Sequence, residues 1–240
     1  MAGTHSNKKI GIIGGGVTGA ITAIFLAQSG HHVTIFEKKE LLSETSSRTT
    51  KLLHGGIRYL ESLQIKEVKN GLNDRHWWLK NFPNSTKKIE ILIPFKNVLS
   101  IKFIKYFFGI KLYELLSFNK TLGKGRVILK NSKLNTITNT NYKNYLTFFD
   151  GAMDDKSLSK KLRCELKELE VNIFEHYEVQ NFNVVGQIDE LNFDKIILAA
   201  GPWTKILLDK NNIESEKDID FIKGSHLILN RFIETGFMFD

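Results

Sequence analysis

The sequence predicts an α/β fold built on a mostly parallel sheet, and three observations carry that expectation. Lys8 to Ile13 reads as a short strand, Val17 to Ser29 as a helix and His32 to Phe36 as a second strand, with Gly14-Gly15-Gly16 at the first turn. Asp154 or Asp155 can cap a helix in which Leu158, Leu162, Leu166 and Leu169 recur at helical spacing, feeding a strand over Val171 to Phe174. Lys195 to Ala200 has the apolar pattern of a buried strand and ends at Gly201-Pro202, and the C-terminal end of such a strand faces the ligand crevice of a doubly wound sheet.

The opening strand, glycine turn and helix come in the order a dinucleotide site needs. Gly14 permits the tight turn, Gly16 lets backbone N–H groups approach a pyrophosphate, and Gly19 lets the helix pack on the strand. The helix N-terminus, opened by Val17 and Thr18, then faces the anion with its positive end. Glu37 closes the second strand twenty-three residues after Gly14, where an acid accepts ribose hydroxyls and disfavours a 2′-phosphate. Of the remaining elements, Ile65 to Phe82 reads as a helix ended by Pro83, Glu90 to Phe95 as a strand and Asn131 to Asn144 as a polar loop. No internal repeat is present.

The stretch from Ser43 to Glu61 is asked for by no folding argument. Ser46, Ser47, Thr49 and Thr50 supply hydroxyls suited to oxygen-rich ligands such as phosphates and ribityl chains. Gly55 and Gly56 remove side chains where a flat ring could lie against backbone, and the guanidinium fork of Arg58 suits a phosphate or carboxylate.

Together with the glycine fingerprint, this stretch resembles the flavin-wrapping segment of FAD-dependent glycerol-3-phosphate dehydrogenases, within the larger D-amino-acid-oxidase-like flavoprotein family. Further matches follow in the family's order: Phe149-Asp150-Gly151-Ala152-Met153-Asp154-Asp155, Ala199-Ala200-Gly201-Pro202-Trp203-Thr204 and Lys223-Gly224-Ser225-His226-Leu227-Ile228-Leu229. The fingerprint and the Ala-Ala-Gly-Pro-Trp element are widespread among flavoproteins, whereas the run Ser46 to Tyr59 is much narrower. The resemblance implies a Rossmann-like FAD-binding domain from residues 1–84 and 147–215, with part of a mixed α+β substrate domain from 85–146 and 216–240. It implies FAD as cofactor, held by Gly14, Gly16, Val17, Thr18, Gly19, Glu37, Lys38, Thr45, Ser46, Ser47, Lys51, His54, Gly55, Gly56, Val179, Ala200, Gly201 and Trp203. It further implies oxidation of sn-glycerol 3-phosphate to dihydroxyacetone phosphate, with Arg58 holding the phosphate, Tyr59 positioning the substrate and His226 taking the hydroxyl proton. Quinone as electron acceptor and a homodimer of the full-length form belong to the same expectation. Family members continue well past the Gly-Ser-His strand, and further substrate arginines and a lysine near the flavin have no counterpart in these residues. The chain is therefore expected to be truncated relative to the family, and a flavin-binding fragment or inactive remnant is the alternative to an active enzyme. An oxidase passing electrons to oxygen is a second alternative; an NAD-dependent enzyme is disfavoured, since Ser46 to Tyr59 has no task in one.

The 240 residues, 42% of them hydrophobic, suffice for one sizeable core or two modest ones. The single cysteine, Cys164, excludes an internal disulfide framework and fits a reducing, cytoplasmic setting; no signal peptide is expected, and the lysines in Leu99 to Phe118 argue against a spanning helix. From Lys87 to Lys133 there are eleven Lys or Arg and two acids, a net of +9 against +8 for the whole chain. Interleaved aromatics and aliphatics make that window a candidate for docking peripherally on an anionic membrane, although Lys102 and Lys111 project from opposite sides of a helix and a buried helix fits equally well. No nucleic-acid recognition motif is present, and no histidine has the spacing of a metal ligand.

Overall fold

The computed structural model describes residues 7–130, 134, 142–215, 224–227 and 235–239. In chain order the elements are β1 (Lys9–Ile13), α1 (Val17–Gln28), β2 (His32–Phe36), β3 (Leu52–Leu53), α2 (Ile65–Asn81), β4 (Thr86–Phe95), α3 (Ile101–Ser117), β5 (Val127–Ile128), β6 (Asn144–Met153), α4 (Asp155–Glu168), β7 (Asn172–Phe174), β8 (Gln187–Ile188), β9 (Leu191–Asn192), β10 (Lys195–Leu198), α5 (Thr204–Lys210) and β11 (Gly236–Phe237). The expected loop over Asn131 to Asn144 lies largely outside the described residues.

The chain forms two compact units, Met1–Thr50 with Asp155–His226 and Lys51–Asp154 with Leu227–Asp240. The first contains a parallel sheet of order β10-β1-β2-β7. In β1, Ile10, Gly11, Ile12 and Ile13 are all buried, as a central strand covered on both faces requires. Leu158, Leu162 and Leu166 form the buried stripe of α4, which packs beside α1. Ile13 and Phe36 pack with Val179, Phe182 and Ile188, and the Phe36 ring stacks on Phe174 at 5.3 Å. The last strand departs from expectation. Ile196 to Leu198 in β10 are half-buried, and β10 is an edge of the sheet among the described residues.

The second unit contains a mixed sheet of order β11-β4-β6-β3, with β5 also on β6. Its spine is an antiparallel ladder running from Thr86↔Met153 to Phe95↔Asn144. Val68 and Leu72 from α2 and Phe103, Ile110 and Tyr113 from α3 cover the ladder at Ile91, Ile93, Leu146 and Phe148. Helix α2 packs on α3 and β4, so residues 51–84 lie within this compact unit.

Helix α3 is neither buried all round nor spanning. Phe103, Ile110, Tyr113 and Ser117 face inward, while Ile101, Ile104, Phe108, Leu112 and Leu115 form an outward stripe, with Ile101, Phe108 and Leu115 exposed by 87%, 66% and 70%. Among the described residues no helix is long and apolar enough to cross a membrane.

Candidate cofactor and substrate site

Three close approaches in the first unit explain the glycines. A Cβ added at Gly19 would lie 2.0 Å from the Gly14 carbonyl oxygen, so α1 leaves β1 at an angle only glycine allows. Gly14 has φ +111°, and a Cβ there would meet the Ala199 carbonyl oxygen at 2.5 Å. Ala199 and Ala200 thereby lie against the fingerprint. A Cβ at Gly16 would stand 3.2 Å from the Ser46 hydroxyl oxygen, which accepts the Val17 N–H at 2.9 Å.

Glu37 follows directly on β2. Its carboxylate accepts the Gly15 N–H at 2.7 Å and the Lys39 N–H at 2.8 Å, one on each oxygen, so its orientation is fixed while each oxygen keeps a lone pair. The Ser46 loop is tied to the fingerprint, with the Leu42 N–H donating to the Gly15 carbonyl at 2.8 Å. Two residues the sequence reading did not single out hold it there: Arg163 donates to the Leu41 carbonyl at 2.6 Å and Glu175 accepts the Leu41 N–H at 2.5 Å. Burial works against ionisation of Glu175, but the Leu41 N–H and the Arg163 guanidinium prevail and hold it below the usual carboxylate range.

Other expected cofactor residues are placed less tellingly. Thr18 and Thr45 are exposed, and the Ser47 hydroxyl donates to the Ser43 and Glu44 carbonyls. Lys38 bonds Glu178 at 2.8 Å on the surface. Val179 is buried in the core beside Phe36, Gly201 sits at φ +56° and Trp203 is exposed. His226 lies exposed in the short irregular segment 224–227.

In the second unit Lys51 takes a left-handed conformation at φ +58°, and its carbonyl accepts the Met153 N–H at 2.9 Å. His54 is exposed. Gly55 and Gly56 follow, Gly56 at φ +80°, and a short 3-10 turn over Ile57–Leu60 carries Arg58 and Tyr59, both exposed. Arg58 lines an open cavity of about 410 Å³ together with Lys105, Tyr106, Phe108 and Met238. Lys105 adds a second cation to that cavity, although its ammonium pairs with Glu61 at 3.2 Å.

Beneath the Gly55–Gly56 turn lies a buried polar cluster. Asp150 accepts from Arg75 at 3.0 Å, from the Tyr113 hydroxyl at 3.2 Å and from the Gly55 N–H at 3.1 Å. Burial pushes the Tyr113 hydroxyl far above its ordinary range, so it remains a donor, and burial also raises the Asp150 carboxyl against the pull of Arg75. The motif Phe149-Asp150-Gly151 marked this carboxylate in the sequence, whereas nothing in the spacing marked Arg75 or Tyr113. Among the described residues there is no cluster of His, Cys, Asp or Glu able to hold a metal.

Residues 9–238 match the family described as FAD dependent oxidoreductase, and the chain belongs to that family. The match bears out the flavoprotein resemblance read from the motifs. Aerobic glycerol-3-phosphate dehydrogenase from Staphylococcus haemolyticus is 29% identical over 92% of this chain and 43% of its own length. The mitochondrial glycerol-3-phosphate dehydrogenase of Saccharomyces cerevisiae is also 29% identical, over 88% of this chain and 36% of its own. The chain thus spans less than half the length of these curated relatives. The solved structure of L-alpha-glycerophosphate oxidase from Mycoplasma pneumoniae with FAD bound superposes with a TM-score of 0.62 over 86% of this chain and 57% of that one, at 22% identity, a likeness of fold. The family's cofactor is FAD, and the first unit has features that fit it: a glycine turn at the start of α1 and an oriented Glu37 carboxylate that keeps a lone pair on each oxygen.

Gly55→Ala provides a test of the packing under the turn, because the new methyl would lie 2.1 Å from the Tyr113 hydroxyl oxygen and 2.6 Å from Leu72. It should destabilise the protein by roughly 1–3 kcal/mol, the usual range for overpacking, measured by urea denaturation. Stability equal to wild type would contradict this packing.

Proposed function

We propose that the chain binds FAD and serves the oxidation of sn-glycerol 3-phosphate to dihydroxyacetone phosphate. The observation that carries the cofactor part is Glu37, clamped by two backbone N–H groups at the end of β2 beside a glycine turn that no side chain could enter. The substrate part rests on the narrow run Ser46 to Tyr59 and on the names of the relatives. Bound FAD supplies the hydride-accepting chemistry. Arg58 holds the substrate phosphate by its guanidinium fork, Tyr59 orients the carbon chain, and His226 takes the proton of the secondary hydroxyl. A phosphomonoester carries close to two negative charges, and one arginine balances them poorly. Lys105 is partly neutralised by Glu61. For that reason the 240 residues alone are a weak catalyst in this reading.

The same reading places the protein in the cytoplasm, peripheral on an anionic membrane, with electrons passing to quinone. What supports the membrane part is the outward stripe of α3, whose apolar residues from Ile101 to Leu115 are bordered by Lys105 and Lys111.

The purified protein should be yellow and release FAD on denaturation; release of a nicotinamide dinucleotide without flavin would refute the cofactor assignment. Gly16→Val should abolish flavin retention, since a Cβ there already approaches the Ser46 hydroxyl and the added methyls would crowd the start of α1 where the pyrophosphate would lie. On anaerobic addition of glycerol 3-phosphate, the flavin of this chain should bleach slowly or not at all, and rapid, substrate-specific bleaching would show the pocket to be complete. An acceptor assay then separates quinone from oxygen. The protein should sediment with vesicles containing phosphatidylglycerol and not with pure phosphatidylcholine, and Phe108→Ser with Lys105→Glu should abolish this. Equal binding by that double variant would assign the membrane contact to another surface.

A further inference from the structure

Arg75, Tyr113 and Asp150 come from α2, α3 and β6, and none is more than 2% exposed. No role in the reading above uses them. An ion pair buried to this degree is a poor device for stability, since apolar residues of similar volume commonly serve as well or better. This cluster is not even fully satisfied, because Arg75 Nε has no partner among the described residues.

What the cluster does that apolar residues could not is accept a hydrogen bond. Both Asp150 oxygens face the Gly55 N–H, at 3.1 and 3.3 Å. Arg75 fixes the carboxylate from one side, and it also donates to the Tyr113 hydroxyl at 3.2 Å and, through its other terminal nitrogen, to the Lys120 carbonyl at 3.0 Å. The Tyr113 hydroxyl fills the space beside Gly55, and Gly71 of α2 approaches the Gly55 backbone so nearly that a Cβ there would lie 3.1 Å from it. Three elements therefore converge on one glycine, and the residues that follow it are Gly56 at φ +80° and the turn bearing Arg58 and Tyr59.

We propose that Asp150, oriented by Arg75 and Tyr113, is a positioning residue that fixes the Gly55–Gly56 turn and thereby sets how Arg58 and Tyr59 are presented. The consequence for flavin and substrate rests on the reading above, whereas the fixing of the turn does not.

The test replaces the ion pair by apolar residues, Arg75→Met with Asp150→Leu, so that packing is kept and the acceptor removed. The double variant should fold with a lowered melting temperature, since the Gly55 N–H and the Tyr113 hydroxyl lose their acceptor, while amide hydrogen exchange at Gly55 to Tyr59 in the cofactor-free protein becomes roughly tenfold faster, the scale of one lost hydrogen bond. Exchange at Leu146 in β6 should not change, and FAD should bind more weakly. A stable double variant with wild-type exchange at Gly55 and wild-type FAD affinity would overturn the proposal and leave the cluster as core packing. Faster exchange at Gly55 in a protein that binds no FAD even as wild type would support the positioning and remove the cofactor reading instead. If the double variant does not fold, Tyr113→Phe decides, since it keeps the ion pair and deletes one donor to Asp150. Faster exchange confined to the turn supports the proposal, and unchanged exchange there overturns it.

Discussion

At Gly19 a Cβ would stand 2.0 Å from the Gly14 carbonyl oxygen, and that approach of backbone to backbone decides how α1 leaves β1. Because the contact is backbone on backbone, no rotamer change relieves it. The direction of α1 then determines where the Val17 N–H points, which in turn decides where Ser46 and any anion can sit. The second unit has a related constraint with different partners: a Cβ at Gly55 would lie 2.1 Å from the Tyr113 hydroxyl oxygen and 2.6 Å from Leu72, and one at Gly71 would lie 3.1 Å from the Gly55 backbone. Both candidate loops are thus placed by steric exclusion first and by hydrogen bonding second.

The hydrogen bonding has a common form. Glu37, Glu175 and Asp150 each direct a carboxylate at a backbone N–H, of Gly15, Leu41 and Gly55 in turn. A charge-assisted bond to backbone fixes a loop more firmly than a pair between two mobile side chains, since only one side chain must be ordered. Lys38 with Glu178 and Lys39 with Glu44 show the contrast: exposed pairs of that kind contribute little. Asp150 is the extreme case, being buried deeply enough that its charge is tolerable only beside Arg75.

Helix α3 joins two tasks that its sequence does not separate. Its inner face supplies Phe103 and Ile110 to the core and Tyr113 to the polar cluster, while its outer face carries apolar residues into solvent. Apolar residues on both sides leave no clear stripe, and so periodicity alone fitted a buried helix. Only the position of the β4–β6 ladder shows which side is covered.

By itself the sequence determined the strand, glycine turn, helix and second strand of the first unit, the place of Glu37 and the leucine stripe of α4. Each depends on spacing within a few residues, where backbone sterics and helical or extended periodicity act directly on the chain. The flavoprotein family was legible for the same reason, its motifs being short and contiguous. Tertiary structure alone decided that α2 packs on α3 and β4, that β10 is an edge of the sheet among the described residues, and that Asn144–Met153 is a ten-residue strand in register with β4. It also decided the meeting of Arg75, Tyr113 and Asp150. These residues are far apart in the chain, and what joins them is the register of a long-range ladder and the burial of charge beneath two helices, neither of which leaves a local pattern to read.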